Sequence, residues 1–225
     1  MPNEIIWIIF ALINFSLLLI FYRLFGKMGL FVWVGMATVV ANIQVLKTVE
    51  LFGLTATLGN ILYGTAFLAT DIMNEKYGRQ DAKKAVWLGF STLITMIIMM
   101  QIALQFQPGP DDFAHGALAT LFEVIPRVAL GSLVAYIVSQ YFDVWIYNKI
   151  RSLFPSDKFL WIRNNGSTAI SQLLDSVVFC SIAFLGEYPF SVWLEVLMTT
   201  YFIKFIVALV DTPFMYIAKN MKNQD

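Results

Sequence analysis

Three ionisable side chains stand inside long apolar stretches of this sequence, where a charge is costly. They are Arg127, Asp175 and Lys204, each near the middle of its stretch. A charge at the centre of a membrane-spanning helix costs about 2.5–3.5 kcal/mol on insertion scales. These side chains should therefore face the interior of a helix bundle, where they can neutralise one another or bind a polar solute.

Further polar residues recur at helical spacing and form continuous faces. Asn60, Gly64, Phe67, Asp71 and Glu75 follow i, i+4, i+7, i+11 and i+15, which places them on one side of a helix. Three other faces have the same character: Thr168, Gln172, Asp175 and Phe179; Thr200, Lys204 and Asp211; Tyr136, Gln140, Asp143 and Tyr147.

These residues also admit plainer interpretations. Arg127, Asp175 and Lys204 could form a structural ion-pair network, although Arg127 lies off the polar face of its own helix and needs a different neighbour or a wider cavity. The carboxylates nearer the ends of the apolar stretches could be charges at headgroup level. The amides of Asn60 and Gln172 could bond only to neighbouring helices, which is worth about 0.6–2 kcal/mol. The sequence leaves these alternatives open beside a binding role.

Motifs for catalysis and nucleotide hydrolysis are missing from the sequence. There is no G-x-x-x-x-G-K-[ST] loop, no H-E-x-x-H and no G-x-S-x-G. The single histidine, His115, and the single cysteine, Cys180, are far apart, which argues against a zinc site and excludes an intrachain disulfide. We therefore predict a protein that is not an enzyme and that has no metal site and no cofactor.

The composition is that of a membrane protein. Hydrophobic residues make up 59% and charged residues 13% of the chain, against roughly 45–50% and about 25% in soluble domains. Mean hydropathy is +0.71. Lys and Arg number 15, as do Asp and Glu, so there is no basic excess for nucleic acid. An acidic start before the first apolar run predicts a retained spanning helix rather than a cleaved signal peptide.

A helix that spans a bilayer needs about 20 mostly apolar residues. By that measure the sequence predicts an all-α, polytopic bundle of seven transmembrane helices in the cytoplasmic (inner) membrane. The predicted segments are residues 4–25, 29–49, 54–74, 85–107, 117–141, 165–185 and 189–217.

Basic residues alternate between the two ends of these segments. Lys and Arg follow the first, third, fifth and seventh segments, whereas the connections after the fourth and sixth hold none and the connection after the second has only Lys47. Cytoplasmic loops are enriched in Lys and Arg. The alternation therefore predicts the N-terminus outside the cell and the C-terminus in the cytoplasm.

Four stretches of the sequence, taken in order, carry a family resemblance. They are residues 68–78 (LATDIMNEKYG) with the basic segment 79–84 and Trp87-Leu88-Gly89-Phe90; Pro126-Arg127-Val128-Ala129 with Ser139-Gln140 and Phe142-Asp143-Val144; residues 164–168 (NNGST) with Ser171-Gln172 and Asp175-Ser176; and Lys204-Phe205-Ile206 with Asp211-Thr212-Pro213. Together they resemble the queuosine precursor transporter family, also called the vitamin-uptake-transporter-like family, over roughly residues 29–217.

The resemblance implies a single transmembrane domain over residues 1–225, with an extra N-terminal helix within 4–28 and a six-helix transporter core over 29–217. It implies import of 7-deazapurine precursors of the tRNA base queuosine: 7-cyano-7-deazaguanine, its 7-aminomethyl analogue or queuine. The residues at family motif positions are Asp71, Arg127, Gln140, Asp143, Gln172, Asp175 and Lys204. Asn60 joins them as a substrate-binding candidate because of its polar helix face.

The chemistry of a deazaguanine fits such residues. The ring is flat and has a lactam edge with hydrogen-bond donors and a carbonyl acceptor, and aromatic side chains can stack on its face. We expect Asp175 and Gln172 to hold the lactam edge, while Arg127 or Lys204 neutralises Asp175 in the empty site. The expected partners are this small molecule and the lipid bilayer, with no nucleic acid, and the sequence leaves a homodimer open.

Other functions remain compatible with the sequence. The chain could be the substrate-binding membrane subunit of an ATP-driven vitamin importer, with a partner that supplies the Walker motifs. It could be a membrane enzyme that acts on a lipid-borne substrate, or a structural assembly subunit. For an importer, the sequence does not decide the preferred precursor or whether an ion gradient, a proton carried by Asp175 or Asp71, or metabolic trapping drives uptake.

Overall fold

The computed structural model describes the backbone of residues 1–153 and 160–221. Side chains in these ranges are described except at positions 140, 143, 144, 147, 148, 151, 160–165, 167, 168 and 208. The elements are α1 (Asn3–Gln44), β1 (Thr48–Leu51), β2 (Leu54–Thr57), α2 (Asn60–Tyr77), α3 (Arg79–Ala103), α4 (His115–Leu153), α5 (Leu160–Phe184), α6 (Phe190–Val210) and α7 (Thr212–Asn220). The described chain is mostly helical, as the sequence predicts.

A sharp turn at Gly26 divides α1 into two halves that fold back on each other. Gly26 has φ 53° and ψ −137°, a conformation that glycine adopts far more readily than other residues. The ring of Phe21, before the turn, meets the ring of Trp33, after it, with centroids 5.5 Å apart. In a straight helix these positions would be separated by about 18 Å. The reversal falls between the predicted segments 4–25 and 29–49.

A β-hairpin replaces the helix ends that the sequence predicts over residues 45–59, so the all-α prediction is wrong at this place. β1 and β2 pair antiparallel, with Leu51 opposite Leu54 across the two-residue turn Phe52-Gly53. As a result, α1 ends at Gln44 and α2 begins at Asn60. The strands are rich in threonine and other residues that favour pleated backbone, whereas hydropathy measures apolar content and does not separate a strand from a helix.

The last predicted segment, residues 189–217, is broken near its C-terminal end. α6 stops at Val210, and α7 starts at Thr212 with Pro213 in its first turn. Proline has no N–H to continue the ladder of α6, and its ring disfavours helical geometry in the preceding residue. α7 is thus a short separate helix and not the end of a long one.

The helices pack into two adjoining hydrophobic clusters. One cluster joins both halves of α1 to α2 and includes Phe15, Leu18 and Trp33, whose indole N–H donates to Thr65 Oγ1 at 3.1 Å. The other joins α4, α5 and α6 around Phe179 and Val196. α6 also contributes to the first cluster and so lies between the two groups. The N-terminal half of α1 packs in the same core as α2.

The hairpin is tied to the starts of α1 and α6. Glu4 Oε1 accepts from the backbone N–H of Phe52 at 3.0 Å, and Glu195 Oε2 accepts from the backbone N–H of Thr55 at 3.1 Å. We call this the hairpin end of the bundle. At the opposite, kink end, which holds Gly26 and α7, Lys27 pairs with Asp81 at 2.6 Å.

Four helical stretches among the described residues are long and apolar enough to cross a membrane. They are Asn3–Gln44, Arg79–Ala103, His115–Ser139 and Phe190–Asn220. Large apolar side chains such as Leu12, Met99 and Leu130 face outwards on these helices. In a bilayer, these outward faces would contact acyl chains, while backbone polar groups are satisfied within each helix.

Candidate functional site

A small cavity of about 30 Å³ lies inside the bundle, between α1, α2, α4, α5 and α6. We call it the central cavity. Its volume is far below the roughly 300–1,000 Å³ of pockets that bury drug-sized ligands, so binding of such a ligand requires the lining side chains to move apart. The polar residues of its lining come from all five helices: Asn42, Asn60, Tyr63, Ser132, Asp175 and Lys204.

An ion pair between α5 and α6 lines this cavity. Lys204 Nζ donates to Asp175 Oδ2, and each side chain is only 13% exposed. Ser139 of α4 donates to the other carboxylate oxygen, Asp175 Oδ1, at 3.3 Å. Burial of two charges costs free energy that their mutual attraction offsets only when the geometry is good. The pair therefore keeps two charges beside the cavity that neither helix could hold alone.

Aromatic rings flank the cation of this pair. Lys204 Nζ lies 5.5 Å from the ring centroid of Tyr63 and 5.9 Å from that of Phe179. These distances are within the range of cation–π attraction. The rings belong to α2 and α5, so the cavity combines a carboxylate, an ammonium group and two aromatic faces.

Amide groups occupy the side of the cavity nearer the hairpin. Ser132 of α4 donates to Asn42 Oδ1 of α1 at 2.9 Å, and the Asn42 amide donates to the Thr38 carbonyl at 2.8 Å. Asn60, at the first turn of α2, has an amide 3.4 Å from the Thr57 carbonyl. The site therefore offers both donors and acceptors for the edge of a polar ring.

The structure brings together three of the sequence-predicted site residues and separates others. Asp175, Lys204 and Asn60 line the central cavity. Gln172 lies on α5 before Asp175, half-buried and outside this lining. Asp71 is on α2 about 12 Å along the helix from Tyr63 and also outside the lining. The side chains of Gln140 and Asp143 lie outside the described residues.

Arg127 meets a different set of partners from those that the sequence suggests. Its guanidinium donates to the carbonyls of Ile182 at 2.7 Å and Leu185 at 2.5 Å, and pairs with Glu187 at 2.6 Å. These groups are at the C-terminal end of α5 and in the loop after it. Of the two cations expected to neutralise Asp175, the structure pairs Lys204 with it, while Arg127 is held elsewhere because the free carbonyls of a helix end attract a cation.

We predict that Arg127→Gln lowers stability without loss of ligand affinity. The variant removes charge-assisted bonds to two carbonyls, and we expect a cost of about 1.5–3 kcal/mol, discounted for the 39% exposure of the side chain. A lower unfolding midpoint in detergent, with unchanged affinity of the folded fraction, is the expected measurement. Glu187→Gln is the matched control and should cost less, because its side chain is half exposed. A large loss of affinity in folded Arg127→Gln would contradict this role.

Asn42 and Tyr63 line the cavity, yet sequence reasoning does not single them out. Asn42 is an amide within a predicted apolar segment, which was a usable signal. Tyr63 follows Asn60 by one helical turn and could have been added to its face. Among the described residues, no group of three or more His, Cys, Asp or Glu side chains could hold a metal ion.

Apolar outward faces together with an internal cavity lined by charged side chains define a multi-pass helical membrane protein with an internal polar site. A family model described as "Putative vitamin uptake transporter" matches residues 57–218. The chain belongs to this family, which confirms the resemblance seen in its motifs.

Curated relatives extend the match over the whole chain. A Bacillus subtilis (strain 168) protein named "Probable queuosine precursor transporter" is 59% identical over 225 residues, which cover 100% of this chain and 98% of the relative. The "Queuosine precursor transporter" of Escherichia coli (strain K12) is 27% identical over 180 residues, 78% of each chain. No solved structure matches the chain.

Proposed function

We propose that this protein imports 7-deazapurine precursors of queuosine across the cytoplasmic membrane. The observation that carries the proposal is the buried Asp175–Lys204 pair beside a cavity with aromatic and amide walls. The names of relatives that match the full chain at 59% and most of it at 27% identity support the same substrate class.

Each part of a deazaguanine has a complementary group in the central cavity. The ring N–H and the exocyclic amine can both donate to the Asp175 carboxylate, which exchanges one partner, Lys204, for two new donors. Lys204 is then free to donate to the ring carbonyl. Tyr63 and Phe179 present aromatic faces for stacking. Such an exchange keeps both buried charges compensated in the empty and the occupied site.

The cavity favours a neutral precursor over a cationic one. One cation and one anion belong to its lining in the described part of the chain, so these charges already balance. The aminomethyl analogue would bring a second ammonium group near Lys204, and like charges at short range in a region of low dielectric repel strongly. We therefore expect 7-cyano-7-deazaguanine to bind more tightly than its aminomethyl analogue.

The two ends of the bundle support the predicted orientation. The reversal at Gly26 makes two crossings of α1, and α2 to α6 add five, for the seven transmembrane helices of the proposal. The kink end carries Lys27, Lys76, Arg79 and Lys219. Basic residues favour the cytoplasmic side. We therefore propose that the N-terminus and the hairpin lie outside and the C-terminus in the cytoplasm.

Ligand-dependent stabilisation of the purified protein tests the proposal. A ligand at 100 times its Kd should add about 2.7 kcal/mol to the free energy of unfolding. We expect the largest rise in unfolding midpoint with 7-cyano-7-deazaguanine, a smaller rise with guanine and none with thiamine or riboflavin. Met99→Leu, a change on the outward face of α3, is the matched control and should give the same series.

Uptake completes this test. In a strain unable to make the precursors, expression of the protein should restore queuosine in tRNA when 7-cyano-7-deazaguanine is supplied. Stabilisation by a vitamin but not by any deazapurine, or dependence on a co-purifying ATPase, would overturn the proposal in favour of a subunit of an ATP-driven importer.

A further inference from the structure

A second small cavity, of about 40 Å³, adjoins the central one, and Tyr63 lines both. The second cavity lies between α1, α2, α3 and α4. None of the charged residues discussed above belongs to its described lining. A space next to a binding site, with one lining residue in common, is where a solute that leaves the site could pass next.

The two cavities follow one another along the bundle. On α1 the central cavity is lined by Ala41, Asn42 and Val45, which are near the hairpin. The second cavity is lined by Val34 and Thr38, which are further from the hairpin. On α2 the same order holds on either side of Tyr63: Gly59 and Asn60 line the first cavity, and Phe67 and Thr70 line the second. The line from one to the other therefore runs from the hairpin end towards the kink end.

The ring of Tyr63 forms the wall between them. Lys204 Nζ lies 5.5 Å from the ring centroid on one side, and the Phe67 ring meets it edge-on with centroids 5.1 Å apart. The backbone of α2 next to this ring lies close against α6, because a Cβ at Gly64 would be only 2.1 Å from Val207 Cγ1. Rotation of the ring is a smaller movement than separation of these two packed helices, and we expect it to open a passage at this level.

The second cavity has groups that suit a flat ring but hold it less firmly. Phe90 and Tyr136 line it with ring centroids 5.5 Å apart, and Thr38 and Thr70 add hydroxyl groups. Stacking on aromatic faces does not depend strongly on which ring is bound. The described lining of the second cavity contains no carboxylate that could accept hydrogen bonds from a lactam edge. A site with stacking and without charge pairing binds weakly, which suits release.

Building on the proposed function, we propose that the second cavity is a second binding station for the same flat heteroaromatic solute, with Tyr63 as the movable wall between the stations. A solute in the central cavity displaces Lys204 from Asp175, and the ammonium group that holds one face of Tyr63 changes partner. The ring then turns and admits the solute to the second station. Specific binding and release are thus divided between two adjacent spaces.

Thiol labelling tests the wall without any substrate. The chain has one cysteine, so Cys180→Ser gives a cysteine-free background. Thr70→Cys reports on the second cavity and Val45→Cys on the central cavity. In right-side-out vesicles with a membrane-impermeant thiol reagent outside, Tyr63→Ala should speed modification at position 70 by at least about tenfold, because it removes the barrier between two accessible spaces. Tyr63→Phe keeps the ring and should leave the rate unchanged.

The modification rate at position 45 is the control for the fold of each variant. It should stay within about twofold of the rate measured in the protein that retains Tyr63. If Tyr63→Ala does not fold, Tyr63→Leu should give an intermediate rate at position 70. Equal rates at position 70 in folded proteins that carry tyrosine, phenylalanine or a smaller side chain at position 63 would overturn the proposal that Tyr63 separates the two cavities.

Ligand protection tests the second station. In vesicles that contain the Tyr63→Ala variant, 7-cyano-7-deazaguanine should slow modification at position 70. The absence of protection at concentrations that saturate thermal stabilisation would overturn the proposal that the second cavity binds the solute. If the compound gives no stabilisation at all, the proposed function fails, while the labelling rates still decide whether Tyr63 separates the cavities.

Discussion

Asp175→Asn should reduce uptake of 7-cyano-7-deazaguanine to background, and the double variant Asp175→Asn with Lys204→Met should remain inactive. The carboxylate is the acceptor that we propose for two donors of the lactam edge, and an amide replaces one of its two acceptor oxygens with an NH2 group that would face a second donor. Sites built to hydrogen-bond a group lose about 10⁴–10⁵-fold in discrimination when the match is removed. Queuosine content of tRNA in a precursor-deficient strain is the measurement.

Stability should follow a different order across the same variants. Asp175→Asn leaves the Lys204 cation buried at 13% exposure without its counter-ion, and Lys204→Met leaves the carboxylate in the same position. Loss of one partner from a buried pair costs about 3–5 kcal/mol, whereas replacement of both is often neutral or stabilising. We therefore expect each single variant to unfold at a lower temperature and the double variant to recover towards the native midpoint.

The contrast between these two readouts separates a binding pair from a structural one. If Asp175 and Lys204 serve only to hold α5 against α6, the double variant should recover uptake together with stability. Recovery of uptake in the double variant would therefore rule out the proposed contact with the lactam edge. A stable but inactive double variant is the result that the binding role requires.

Helix periodicity and the cost of buried charge were sufficient to expect Asp175 and Lys204 inside the bundle. Both lie within long apolar segments whose faces are set by 3.6 residues per turn, so their direction follows from the sequence. The sequence did not show that the partner of Asp175 is Lys204 and not Arg127. Arg127 is held by carbonyls at the end of α5 and by Glu187 in the next loop, and loop geometry is not encoded in helical spacing.

The hairpin marks the other limit of the sequence analysis. Residues 48–57 are apolar enough to extend two predicted helices, and hydropathy alone does not reveal the pairing of β1 with β2. The hairpin is also held by contacts to Glu4 and Glu195, which are distant in the chain. The same limit applies to Asn42, whose role as a partner of Ser132 depends on how α1 crosses α4.

Gly64→Ala is the second substitution with a large expected effect, and it acts on the spacing between α2 and α6. A Cβ at this position would lie 2.1 Å from Val207 Cγ1, and Val207 is only 2% exposed. Since a valine side chain is stiff, the contact is relieved by moving one helix away from the other. Overpacking of this kind costs about 1–3 kcal/mol, and small residues at helix crossings in membranes allow such close approach.

Displacement of the helices should also reach the ligand site. Tyr63 precedes Gly64 on α2, and Lys204 is one turn before Val207 on α6, so the contact of Lys204 Nζ with the Tyr63 ring depends on the same spacing. We expect Gly64→Ala to lower both the unfolding midpoint and the affinity for 7-cyano-7-deazaguanine. Val207→Ala removes the obstructing methyl groups and should restore both in the double variant, with a coupling free energy of about 0.5–3 kcal/mol. Strict additivity of the two changes would show that α2 and α6 are not in contact at Gly64 and Val207. The argument that these two helices pack closely beside Tyr63 would then fail.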